Sequence, residues 1–163
     1  MSIIINGLDE HMRELEVIDH HFHNREIWYG LGAVEDDLAP YRITSGNGVF
    51  GSEIAILGAA STPKIAGKIR FDLHRIQIID FGNNTLYYLR IIWGLGTVED
   101  AETDMQYSTT PVQAVTAGAI GGAPSGIMFE RGWAGKTKVW AKVKNTTNSA
   151  TLDILVGSHE YDW

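Results

Sequence analysis

The chain has no cysteine among its 163 residues. Disulfides, thiolate catalysis and cysteine-based zinc sites are excluded together, and the redox compartment stays open. No apolar run approaches the ~20 residues that a membrane-spanning helix needs. Residues 1–30 are acidic, unlike a secretory leader, so a soluble protein without membrane partners is expected. No low-complexity tract appears, and 44% hydrophobic with 20% charged residues is the composition of a folded chain. Positive charge is also short. The net charge is −7, and it is unevenly placed. Residues 1–40 carry nine acids against Arg13 and Arg25, whereas residues 41–163 carry eleven acids and eleven bases. A neutral body behind an acidic end argues against nucleic acid as a partner, because binding phosphates needs a clear basic excess. The local strip Arg131, Lys136, Lys138, Lys142 and Lys144 reads as a solvated strand face.

What is present fits one domain with a core of its own. The spacing divides it into an acidic helical arm over residues 1–39 and a β domain over residues 40–163. Residues 8–26 read as a helix, with Asn6 as its cap and Asp9 and Glu10 where the helix dipole favours acid. Leu8, Met12, Leu15, Ile18 and Phe22 form one apolar stripe. The stripe either docks on a neighbouring surface or bundles with other copies, and fewer than three heptads leaves both open.

After Pro40 the texture changes to short β-rich segments separated by Gly, Asn and Pro. Strands are expected at 41–44, 48–57, 68–79, 85–93, 105–108, 112–116, 126–130, 136–144 and 151–157. In 136–144, Thr137, Val139, Ala141 and Val143 alternate with Lys136, Lys138, Trp140, Lys142 and Lys144, which predicts one buried and one wet face. Leu86 to Trp93 is apolar on both faces, as in a central or interface strand. Strands at this spacing predict a mainly β, two-sheet sandwich of jelly-roll-like form. One internal echo is present: Arg25-Glu26-Ile27-Trp28-Tyr29-Gly30-Leu31-Gly32-Ala33-Val34-Glu35-Asp36 recurs as Arg90-Ile91-Ile92-Trp93-Gly94-Leu95-Gly96-Thr97-Val98-Glu99-Asp100, with one residue deleted. It does not extend to a domain repeat.

The search for chemistry finds no catalytic set. Four of the six histidines fall in residues 11–23, and His20 and His23 share a helix face, which suits a solvated surface better than a metal site. Glu99, Asp100, Glu102 and Asp104 resemble half of a calcium loop, but Met105 and Pro111 stand where its glycine and closing glutamate belong. The glycine pairs complete no phosphate-binding motif, and no serine has a nucleophile-elbow context. His74 and His159 lie in or beside strands and read as structural. Asn83-Asn84-Thr85 and Asn145-Thr146-Thr147 match the glycosylation triplet only weakly. No cofactor or metal is expected. Aromatic residues are the remaining binding signal. Trp28 and Trp93 are expected at an assembly interface with the helical stripe, core filling being the alternative for Trp93. Trp133 and Trp140 are expected on a ligand or partner surface.

Phe71-Asp72-Leu73-His74-Arg75-Ile76, Lys136-Thr137-Lys138-Val139-Trp140-Ala141-Lys142 and the ending Thr151 to Tyr161 resemble a pattern of tailed-bacteriophage virion structural proteins. The resemblance covers about residues 41–161. It implies a jelly-roll-like fold and a capsid decoration (cement) protein or small head fibre, made in the host cytoplasm and carried on the virion surface. It also implies a homotrimer, the major capsid protein as partner, and no catalytic residues. The alternative is a carbohydrate- or receptor-binding module of a tail fibre, meeting a surface glycan through Trp133, Trp140 and the loop 118–126. A cupin-like enzyme is a third reading, and it requires histidines inside the barrel.

Overall fold

The computed structural model describes residues 26–30, 39–58, 69–113 and 127–161, with residues 127–132 described by their backbone. The helix expected over 8–26, with Leu8, Met12, Leu15, Ile18 and Phe22, lies outside the described residues. In chain order the elements are β1 (Ile27–Tyr29), β2 (Tyr41–Thr44), β3 (Gly46–Asn47), β4 (Ile54–Gly58), β5 (Arg70–Phe81), β6 (Tyr87–Gly94), α1 (Val98–Thr103), β7 (Tyr107–Val112), β8 (Ile127–Ala134), β9 (Lys138–Asn145) and β10 (Thr151–Tyr161). The protein is mainly β, and its described residues form two five-stranded sheets.

Sheet A runs β1-β10-β5-β8, with β2 also on β10; sheet B runs β3-β9-β6-β7, with β4 also on β9. Each sheet therefore has three full strands and one edge shared by two short ones. On sheet A, β1 lies along Val156 to Ser158 of β10, and β2 along Thr151 to Ile154. On sheet B, β4 and the two-residue β3 share β9 in the same way. The pairing is nested: β6 with β7, β5 with β8, β4 with β9, and β2 with β10, all antiparallel.

Alternation explains which side chains meet between the sheets. Sheet A contributes Ile43, Phe71, Leu73, Ile76, Leu152, Ile154 and Val156, and sheet B contributes Tyr87, Leu89, Val139, Ala141 and Val143, to one continuous core in which all are at most 1% exposed. Tyr41 donates its hydroxyl to the Ile56 carbonyl at 2.8 Å, so the one polar atom of that ring is satisfied across the sheets. At one end of the core, Trp133 lies 5.7 Å from Phe71 and 5.8 Å from Trp93, ring centre to ring centre, in the tilted arrangement aromatic pairs favour.

Several expectations change. The stretch 48–57 is a turn through Gly48 followed by β4, and β7 runs from within the expected 105–108 strand to Val112, residues 114–116 lying outside the described residues. Residues 98–103, the acidic stretch that resembles half of a calcium loop, form a helix. Thr97 caps it: its hydroxyl accepts from the Asp100 amide, while the Asp100 carboxylate accepts from the Thr97 amide, a reciprocal capping box. Strand β1 lies inside the segment read as arm, so the sheet begins before residue 39. Arg131 separates from the basic strip, because β8, which carries it, lies in sheet A, whereas Lys138, Lys142 and Lys144 stay together on β9 of sheet B.

Candidate functional site

Residues between the core positions of β5 and β10 point to the face of sheet A turned away from sheet B. There the register sets Asp72 opposite His159. Asp72 accepts hydrogen bonds from the His159 amide at 3.1 Å and from the Tyr161 hydroxyl at 2.8 Å. Its carboxylate also lies 3.5 Å from His159 Nδ1. Burial pushes the Asp72 carboxyl up, but the hydrogen bonds from His159 and Tyr161 outweigh it and hold the group below the usual range. Burial and the bond to Asp72 push the Tyr161 phenol far up.

The network continues sideways. His159 stacks on His74 with ring centres 4.5 Å apart and planes 30° from parallel. His74 Nδ1 lies 3.0 Å from Glu26 Oε1, the carboxylate accepting, and Arg75 Nε is 3.9 Å from the same oxygen. Glu26 immediately precedes β1 and rests over Gly157, where any Cβ would run into its carboxylate. Tyr29, at the other end of β1, inserts its ring in the core and donates its hydroxyl to Glu160. The short strand is thus held by side chains at both ends as well as by its three register pairs with β10. Further along the same face Arg42 grips Asp153 with two bonds, 2.9 and 2.7 Å, from a directly opposite register position.

The outer face of sheet B is covered differently. Helix α1 lays Val98 and Ala101 over Ile92 and Trp140, forming a second apolar cluster. Glu102 of α1 binds Arg90 of β6 and Lys142 of β9, both at 2.8 Å. Burial pushes the Glu102 carboxyl up, yet the bonds from Lys142 and Arg90 prevail and lower it. The Arg90 guanidinium is held between the rings of Phe50 and Tyr107, 3.9 and 4.1 Å from their centres.

The expected site residues distribute as follows. Trp28 is half-buried on β1, at the edge of sheet A. Trp93, expected at an interface, fills the core at 9% exposure. Trp133 and Trp140 do not form a stacking surface: they are 7% and 8% exposed, the first between the sheets and the second beneath α1. The wet face expected around Trp140 is corrected for that reason. His74 and His159 do find acids, as the strand reading allowed, and they also find each other. Asn145 of the second glycosylation triplet is 1% exposed, its amide donating to Thr85 and Leu86 and so tying two turns together. The acidic run is a capped helix. Among the described residues no His, Asp or Glu group is placed to hold a metal ion, and no helix is long and apolar enough to cross a membrane. Comparison with family models, curated proteins and solved structures finds no match to the chain.

Proposed function

We propose that this chain is a non-enzymatic structural protein of a tailed-phage virion, a capsid decoration protein or small head fibre. It self-associates as a homotrimer and attaches to the major capsid protein through its acidic arm. The observation that carries this reading is the strand order. Counting β2 and β4 to β10 as one to eight, sheet A reads 1-8-3-6 and sheet B reads 2-7-4-5. That is the order of two Greek keys rolled together, which supports a jelly-roll-like fold of the sort used by viral capsid proteins, lectins and cupins. Fold alone does not choose among them. The lectin-like reading needed Trp133 and Trp140 at the surface, and both are buried. The cupin-like reading needs imidazoles between the sheets, and His74 and His159 lie on the outer face. The resemblance of β5, β9 and β10 to virion proteins supports the remaining choice.

An acidic arm ahead of a neutral body suits docking on a basic capsid surface. The test compares the full chain with a truncation beginning at Arg25, which keeps Glu26 and β1 in place. Light scattering should give a trimer for the full chain, and pelleting with purified capsids should retain it. Loss of the first 24 residues, or Leu15→Asp with Phe22→Asp, should abolish capsid binding. A monomeric full chain that ignores capsids and binds glycans would overturn the reading in favour of a receptor module.

A further inference from the structure

We infer that the place β1 occupies on β10 is an exchange site, filled between protomers by the segment Glu26–Tyr29 of a neighbouring copy. The inference rests on the self-association reading and deepens it by naming the contact.

Four observations carry it. First, among the described strands β1 pairs with β10 and with no other. Second, the seat is specific to its occupant. Gly157 leaves room for the Glu26 carboxylate, His74 meets that carboxylate at 3.0 Å, Glu160 receives the Tyr29 hydroxyl, and the Tyr29 ring enters the core. A segment of other sequence would not supply this set of contacts. Third, the strand has only three residues, and a pairing that short holds through its end contacts rather than through its ladder. Fourth, the connection is far longer than its gap. Tyr29 pairs with Val156 and Tyr41 with Ile154, two positions along β10 and so about 7 Å apart. The twelve residues from Tyr29 to Tyr41 can span roughly 40 Å when extended. The same seat on an adjacent protomer is within reach.

Exchange keeps every contact of the seat and alters only which chain supplies it, so its cost in contact energy is close to nothing. Where copies already stand side by side, the tethered segment binds at a high effective concentration. Three protomers passing the strand in one direction close a ring, which is the heterologous, closed form of a trimer.

The test uses the cysteine-free full chain with Ile27→Cys and Ser158→Cys, a directly opposed pair on β1 and β10. Antiparallel partners sit within the Cα range a disulfide accepts. Under mild oxidation, strand exchange should give covalent dimers and trimers as the main species on denaturing gels. A native trimer whose disulfides all lie within single chains would overturn exchange while leaving self-association standing. A monomer with intrachain disulfides would overturn both. Should the double variant fail to fold, the two single variants are refolded together, and exchange requires a covalent heterodimer. Absence of any bond between the two positions in either format would also overturn the inference.

Discussion

The two outer faces of this protein are closed by opposite means. Sheet B is covered by a helix that brings Val98 and Ala101 onto Ile92 and Trp140, and a charged hub at Glu102 fastens the rim. Sheet A is closed by polar side chains lying along the strands: Arg42 on Asp153, Glu26 on His74, His74 on His159, and Asp72 beneath His159 and Tyr161. One face relies mainly on apolar burial, which pH hardly touches, with the Glu102 hub as its one ionisable fastening. The other relies on hydrogen bonds between ionisable groups, which are conditional on salt and pH. The conditional face is the one that holds β1, the first described strand, which lies within the acidic N-terminal stretch.

The comparison breaks most visibly at Trp140. Trp140→Ala should cost about 3–5 kcal/mol, because it empties the cluster beneath α1. Urea denaturation would read this, and the midpoint should fall without a matching change at β1. Glu102→Gln comes next, at about 1–3 kcal/mol, since Arg90 and Lys142 are both mostly covered and lose their shared carboxylate. On sheet A, Gly157→Ala forces the Glu26 carboxylate aside. A loss of about 1–2 kcal/mol is expected, together with faster hydrogen exchange at residues 27–29.

Acid separates the faces more finely. Asp72 and Glu102 are both depressed in the folded chain. A depressed carboxyl contributes stability that is complete above its unfolded value, near pH 4, and is lost as pH falls through the lower folded value. Stability should therefore decline below about pH 4. Asp72→Asn should remove the part of that decline that tracks β1 protection, and Glu102→Gln the part that does not. The smallest effect is expected at Met105, which follows α1 with φ of 54°. Met105→Gly should change stability by no more than about 1 kcal/mol, in the favourable direction, because glycine accepts a left-handed backbone without a Cβ clash.

Much of the architecture is legible from residue spacing. Val139, Ala141 and Val143 alternate as a half-buried strand must, and they are buried. Trp140 escapes that rule because a covering helix makes the outer face a second interior, and alternation only reports one. The helix was hidden in an acidic run, although Thr97-Val98-Glu99-Asp100 carries a capping-box signature that would have announced it. Strand β1 is too short for periodicity to register. The pairing of Asp72 with His159 depends on β10 lying beside β5 in one register, a relation across 87 positions that no local pattern encodes. Trp93 and Trp133 have interface-like chemistry, and only the meeting of the two sheets assigns them to the core.

The most direct test of the central claim is the copy number of this protein in purified virions, measured by quantitative mass spectrometry against the major capsid protein. A fixed ratio that places many copies on each particle, in multiples of three and removable without loss of the capsid shell, is the expected result. Particles that lack the protein, or that carry it only in the few copies of a tail component, would contradict the claim.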